Sequence, residues 1–388
     1  MKLLFTISFY RPNISGLTLS PARLAEELVR RGYKIRILTT LYDNNLKIED
    51  KINGVDIVRV PYLFKISKGF IMPRYFWIAF KEVKMCDAVV VNLPQFEGFI
   101  PAFFAKVLGK KLVCIYHCEV TLPKTLGSIV VENLLHFANY ISLFLADKIV
   151  TYTQDYAINS KLLPNFKKKL LFILPPIKKP GTSGKLNSKL QNILAKFRGN
   201  RYIIGIAARI AAEKGIDYLL TAMPYLKERL DKDIIIVFAG PKEPVGEKEY
   251  LHILSLLIDK YKEYIIFLGE VTPQELEIFY NSLDVLVLPS VNSTEAFGMV
   301  QVEAMYFGVP VVASNLPGVR VPVQKTGMGE IANPGDAKDL ADKIIKVLTN
   351  KNKYLKSHEI IKKIFDFDDT INKYEKLFKS LNNVSVSK

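Results

Sequence analysis

Glu295 and Glu303 stand either side of the run Ala296-Phe297-Gly298-Met299-Val300. An apolar stretch, Asp284 to Pro289 (DVLVLP), precedes them and reads as a buried strand of a parallel sheet. A polar loop follows, then a helix from about Gly298 to Phe307, which Gly308-Val309-Pro310 stops before a further strand, VPVVAS. Glu295 thus falls in the loop and Glu303 about one and a half turns inside the helix, so the two cannot form an acid/base pair on one helical face. Between them, the amides of Phe297, Gly298, Met299 and Val300 are the open donors of a first helical turn. With the helix dipole they suit a phosphate or sugar hydroxyls, and Gly298 lets a ligand approach the backbone. One carboxylate at the helix mouth and another further along match the hexose, pyrophosphate and ribose of a sugar nucleotide. Taken alone, the pair also reads more plainly as a capping Glu295 and a solvated Glu303.

A second cluster makes the first more informative. Arg209 to Gly215 (RIAAEKG) follows the strand 202–208, and Lys214-Gly215 opens the next helix. Arg209 offers a bidentate fork and Lys214 a mobile point charge at a helix start. Two cations there would grip a diphosphate and stabilise its departure. The competing reading is a surface Arg209 paired with Glu213. Two further candidates come from the first half. Gly16, in the loop YRPNISGL, precedes a helix whose amides would accept a phosphate or sugar. His117 ends the strand KLVCIYH, where it would bond a sugar hydroxyl or share transition-state charge.

Strand and helix alternate along the whole chain, which predicts α/β architecture. In the first half KLLFTISF (2–9), YKIRILTT, VDIVRVPY, DAVVVNLP, KLVCIYH and DKIVTYT read as strands. Helices are expected from about Ser20 to Arg31 and over Leu126 to Leu145. Leu174 to Asn200, rich in Pro, Gly, Ser and Lys, reads as a linker with a short helix. A second unit follows with RYIIGIAA, DIIIVFAG, EYIIFLG, DVLVLP and VPVVAS as strands, and Thr272-Pro273 with Glu275 opening a helix. The expected boundaries are 1–175 for the first domain, 176–200 for the linker, 201–365 for the second domain, and 366–388 for a final helix, amphipathic from Asp369 to Leu381.

Arg209-x4-Lys214-Gly215, Gly240-Pro241, Leu268-Gly269, Glu295-Ala-Phe-Gly298 and Glu303-Ala304 together resemble the retaining GT-B glycosyltransferases of family four. The resemblance covers the second domain, with a looser match in the first through Gly16 and His117. It implies two Rossmann-like doubly wound domains facing a central cleft, with the last helix crossing back onto the first. It implies that Arg209 and Lys214 bind the donor diphosphate, Glu295 contacts the transferred sugar and Glu303 the ribose. Phe297 to Val300 would hold sugar and phosphate through their amides, and His117 would lie near the anomeric centre. It further implies a hexose moved from a UDP- or GDP-sugar to an acceptor hydroxyl in α-linkage, with no cofactor and no divalent metal. Base contacts are expected from the loops 240–243 and 268–276. Ser15 stands where the family often has a second glycine. Asp366-Phe-Asp368 mimics a metal-binding Asp-x-Asp, but its place in the tail favours helix capping.

Charge bears on the acceptor. The net charge is +16, and residues 1–180 hold 26 Lys/Arg against 13 Asp/Glu, whereas the remainder holds 28 against 25. A basic first half attracts phosphate or an anionic membrane face; solubility and heat adaptation explain it equally. Tyr62 to Lys84 mixes lysines with Phe76, Trp77 and other apolar residues, as an interfacial segment on acidic lipid would, or as a core helix with solvated lysines would. Lys167 to Lys169 and Lys178-Lys179 would add to such a surface. On the first reading the acceptor is a lipid-linked saccharide or glycolipid and the chain is cytoplasmic, peripheral on the membrane. No run of 18 uncharged apolar residues occurs, so no membrane-crossing helix is expected. Cys86, Cys114 and Cys118 lack zinc spacing and read as intracellular free thiols. A nucleotide-sugar epimerase of the same fold would need further acid/base carboxylates. A catalytically silent membrane-associated subunit would not need the cations. No nucleic-acid-binding motif is present.

Overall fold

The computed structural model describes residues 1–66, 69–122, 125–181, 188–241 and 248–383. The chain forms two compact units, Met1–Pro176 with Phe367–Lys388, and Ile177–Asp366.

The first unit carries β1 (Lys2–Thr6), α1 (Gly16–Arg30), β2 (Lys34–Thr40), β3 (Glu49–Ile52), β4 (Val55–Val60), β5 (Phe64–Ile66), β6 (Gly69–Ile71), α2 (Tyr75–Met85), β7 (Ala88–Leu93), α3 (Phe99–Val107), β8 (Lys111–Tyr116), α4 (Leu126–Leu145), β9 (Lys148–Thr151), α5 (Gln154–Asn159) and β10 (Leu170–Phe172). Eight strands form one sheet in the order β10-β9-β8-β7-β1-β2-β4-β3. All pairs are parallel except β3 with β4. That hairpin turns on Asn53-Gly54, both at positive φ (50° and 82°), as a tight primed turn requires. The strand order reverses between β1 and β7. Strand succession runs one way from β4 through β7 and β8 to β9, and the other way from β1 to β2. Right-handed crossovers therefore put α2, α3 and α4 on one face and α1 on the other. Packing agrees: α2 lies on α3 and α3 on α4, while α1 meets the final helix.

The second unit carries α6 (Ser188–Arg198), β11 (Arg201–Ala207), α7 (Ile216–Arg229), β12 (Asp233–Ala239), α8 (Lys248–Lys260), β13 (Ile265–Gly269), α9 (Pro273–Ser282), β14 (Val285–Leu288), α10 (Met299–Met305), β15 (Val311–Ser314), α11 (Val321–Thr326), β16 (Gly329–Ala332), α12 (Ala337–Thr349), α13 (Lys351–Tyr354) and α14 (His358–Ile364). Its sheet, β13-β12-β11-β14-β15-β16, is wholly parallel and reverses between β11 and β14. Its strands other than β16 are largely apolar runs because helices cover both faces. The final helix, α15 (Phe367–Asn383), returns to the first unit, where Ile371, Tyr374, Phe378 and Leu381 join the core beside α1. Arg31 fastens it through Asp368 (2.9 Å) and Glu375 (2.8 Å).

Three expectations need correction. Helix α1 begins at Gly16, not Ser20: Ser15 is its N-cap in a capping box with Thr18, and Pro21 sits inside it. Helix α6 packs on α9 and β11, within the second unit; residues 182–187 of the expected linker lie outside the described residues. Helix α4 does have the length and composition of a membrane-crossing helix, with 22% of it buried. The sequence reading passed over it because Glu132 and His136 interrupt its apolar run.

Candidate functional site

In an open α/β sheet, ligands bind beyond the strand C-termini where the strand order reverses. In the second unit that place lies between β11 and β14. The loop after β11 holds Arg209 and a single turn, Ala212–Lys214, and the loop after β14 holds Glu295. The two loops interlock. Val291 N donates to the Glu213 carbonyl (3.0 Å), and Lys214 Nζ donates to Glu295 Oε2 (2.6 Å). Gly215 caps α7 at φ 62°, with the Pro289 carbonyl oxygen 2.1 Å from where a Cβ would stand. Gly215→Ala therefore meets both a left-handed backbone and a backbone oxygen. It is expected to cost at least about 2 kcal/mol in urea unfolding and to open the loop pair.

Both cations already have carboxylate partners. Arg209 is paired with Glu213, the competing reading of the sequence, and Lys214 with Glu295. Glu295 is thus an ion-pair partner, not a helix cap. The turn into α10 is made by Gly298 at φ 73° with no side-chain cap. Phe297 is buried against Phe365, and Met299 and Val300 are half-buried. Glu303 is not solvated: it is 4% exposed and accepts from the Tyr280 hydroxyl at 3.2 Å. Tyr280 in turn stacks on Phe307, over which Lys179 Nζ lies 4.6 Å from the ring centre.

Sequence reasoning missed Tyr280 and also Gln301. The Gln301 amide is buried and donates to the carbonyls of Phe297 and Val319, both at 2.9 Å, which holds the helix mouth in shape. Its signal was a polar residue on the apolar face of a short helix. In the loops assigned to the base, Gly240 N donates to Gly269 O (2.8 Å), and Thr272 with Glu275 forms the capping box of α9. Residues 242 and 243 lie outside the described residues. Among the described residues no three His, Cys, Asp or Glu side chains are grouped to hold a metal ion. Asp368 of the decoy motif is spent on Arg31 in the first turn of α15.

In the first unit, Gly16 opens α1, and the space where its Cβ would stand is open. His117 is 4% exposed. Its Nδ1 accepts from the Tyr152 hydroxyl (2.5 Å), and its Nε2 faces Asn92 Oδ1 (2.9 Å), which assigns the ring proton to Nε2. Burial pushes its pKa down to about 3, so the ring is neutral and both nitrogens are engaged. A sugar hydroxyl would have to displace one of these partners. The reversal point between β1 and β7 adds Glu97, in the turn Phe96–Gly98 after β7. It is 7% exposed, Oε1 has no hydrogen-bond partner, and burial pushes its pKa up to about 7. The stretch around Phe76 and Trp77 is not one segment. Phe70, Met72 and Tyr75 are buried, while Phe76 (43%) and Trp77 (72%) face out from α2. All three cysteines are buried and none is in a disulfide.

Known proteins sharpen this. Anabaena HepE, solved in complex with UDP-glucose, superposes with a TM-score of 0.76 at 17% identity over 98% of this chain and 100% of that one. The fold is GT-B. Within that GT-B chain, residues 192–364 match the family model for glycosyl transferases group 1, a stretch that holds Arg209, Lys214, Glu295 and Glu303. An uncharacterized glycosyltransferase of Methanocaldococcus jannaschii is 25% identical over 369 residues, 90% of each chain. The phosphatidylinositol N-acetylglucosaminyltransferase gpi3 subunit of Schizosaccharomyces pombe is 23% identical over 96% of this chain and 79% of its own length. These likenesses support glycosyl transfer as the chemistry of the GT-B chain.

Proposed function

We propose that the chain is a retaining hexosyltransferase, moving a hexose from a UDP- or GDP-sugar to the hydroxyl of a lipid-carried acceptor in α-linkage, without a divalent metal. The observation that carries this is the pairing of Lys214 with Glu295 across the reversal point of a parallel sheet, with Arg209 in the same loop. The donor diphosphate takes the two cations from their carboxylates. Glu295, released, accepts from the sugar hydroxyls, and Glu303 takes the ribose. The bond from the anomeric carbon to the diphosphate oxygen breaks, and the two cations stabilise the charge that develops there. The acceptor oxygen forms its bond on the same face, and its proton passes to the departing phosphate oxygen. The UDP-glucose complex of the HepE neighbour supports a nucleotide-sugar donor, and the phosphatidylinositol transferase relative supports a lipid acceptor.

A thermal-shift screen of UDP- and GDP-hexoses tests the donor site. At a hundredfold excess over Kd the bound donor stabilises by about 2.7 kcal/mol, a clear rise in melting temperature. The rise is expected with one nucleotide series and is expected to shrink in Arg209→Ala. No rise with any nucleotide would leave a silent subunit as the better reading.

A further inference from the structure

The outward side of α4 is mostly apolar from end to end, interrupted by the exposed Asn133. Leu126, Val130, Leu134, Phe137, Tyr140 and Phe144 are between 39% and 87% exposed and recur every three or four residues, so they form one stripe about 30 Å long. The only acidic or basic side chains of the helix, Glu132 and His136, lie off that stripe at 17% and 14% exposure, with Lys161 Nζ 3.1 Å from Glu132. An ordinary surface helix has the reverse pattern.

The stripe has neighbours. Helices α2, α3 and α4 cover the same face of the sheet and pack in that order. Phe103 (50%) and Val107 (63%) on α3, and Trp77 (72%) on α2, are likewise exposed. An exposed apolar surface of this extent marks a binding face. Its border is basic: Lys169 Nζ donates to the Phe144 carbonyl at the end of α4 (2.6 Å) and lies 5.7 Å from the Phe144 ring centre. Lys167 and Lys168 are exposed in the same turn.

We propose that this face docks on a lipid bilayer bearing anionic headgroups, with α4 lying in the plane of the interface. Lysines beside an apolar stripe match the two layers such a surface offers, acyl chains and acidic headgroups. Helix α4 does not cross the bilayer, because its other side is built into the domain. Ala138, Asn139, Ser142 and Leu143 are buried, Asn139 Oδ1 accepts from Gln95 N (3.3 Å), and Cys114 Sγ lies 3.4 Å from the Ser142 carbonyl. A helix held along one side cannot be surrounded by lipid. The inference rests on the reading above that the acceptor is carried by lipid, and it names the surface that reaches it.

The test uses the full chain, with no acceptor and no nucleotide sugar, in flotation with vesicles of phosphatidylcholine with and without phosphatidylglycerol. Wild type is expected to float, more strongly on the anionic vesicles. The double variant Leu134→Glu, Phe137→Glu is expected to partition roughly tenfold or more weakly on both. Changing Lys167, Lys168 and Lys169 together to Gln is expected to weaken partition about a hundredfold on the anionic vesicles and little on the neutral ones. Slow UDP-hexose hydrolysis without vesicles should be the same in all three. If the glutamate variant does not fold, the lysine variant decides. Wild type that stays with the soluble fraction, or variants that float as wild type does, overturn the proposal. So does light scattering that finds a dimer broken by Leu134→Glu, Phe137→Glu without flotation, which assigns the face to a second copy. A chain that floats but binds no nucleotide fails as a transferase and keeps its docking face. A chain that transfers sugar to a soluble acceptor but never floats does the opposite.

Discussion

Lys214→Ala is expected to slow sugar transfer by about two to three orders of magnitude, the usual loss when a charge-stabilising group is removed from a leaving-group site. Its ammonium sits 2.6 Å from Glu295, held by a loop that Gly215 locks against Pro289. The pair makes a sharper demand than a simple loss. In the ligand-free chain Glu295 competes with the diphosphate for Lys214. Glu295→Gln removes that competition and a repelling charge worth about 2 kcal/mol at roughly 8 Å and an effective dielectric near 20. UDP, which carries no hexose, should then bind about thirtyfold more tightly, while transfer falls because the sugar hydroxyls lose their acceptor. Calorimetric Kd values for UDP together with kcat and KM check both. Lys214→Ala with wild-type kcat, or Glu295→Gln with weaker UDP binding, would remove the diphosphate from this site.

The residues at that site were legible because their spacing survives in one dimension. Arg209, Lys214 and Glu295 lie in the loops that follow strands reading as apolar runs, and Glu303 lies in the short helix after the second of those loops. Their partners were not. Tyr280 reaches Glu303 from another helix, and Gln301 ties Phe297 to Val319, a contact made only once the strands are in order. The pairing of Lys214 with Glu295 was equally hidden, since the two stand far apart in sequence, whereas the i,i+4 spacing of Arg209 and Glu213 left their pairing open as a reading.

The fold was legible where burial on both faces makes a strand apolar throughout, as in β7, β8, β11, β12 and β14. It was not where a strand is short or at an edge. Strand β16 (GEIA) carries no apolar run, and β3 (EDKI) is an edge strand with charges; its Asn53-Gly54 turn was a usable hairpin signal left unread. Ser20-Pro21 looked like a helix start because proline favours the first turn, yet Ser15 had already capped the helix one turn earlier. For α4 the amino acids declared a long apolar helix, and only the packed structure says which side is left outside.

Glu97→Gln is expected to make the protein more stable at pH 8 by about 2–3 kcal/mol and to remove a matching part of its pH dependence. The carboxyl is buried, and burial holds its proton up to about 7 against an ordinary value of 4.5. Between those values the folded chain keeps a proton that the unfolded chain releases. Folding therefore binds a proton, and stability from this group falls as pH rises from about 4.5 to about 7, then levels. His117 acts with the opposite sign. It stays neutral when folded down to about 3 but takes a proton when unfolded below 6.5, so it lowers stability as pH falls. The two slopes overlap and partly cancel in wild type, so the raw profile decides nothing. The difference between wild type and Glu97→Gln isolates the carboxyl, because His117 is common to both. Urea unfolding of each at pH 5 and pH 8 measures it. Wild type should lose more stability than the variant over that interval, and equal losses would mean that Glu97 is already ionised where it lies.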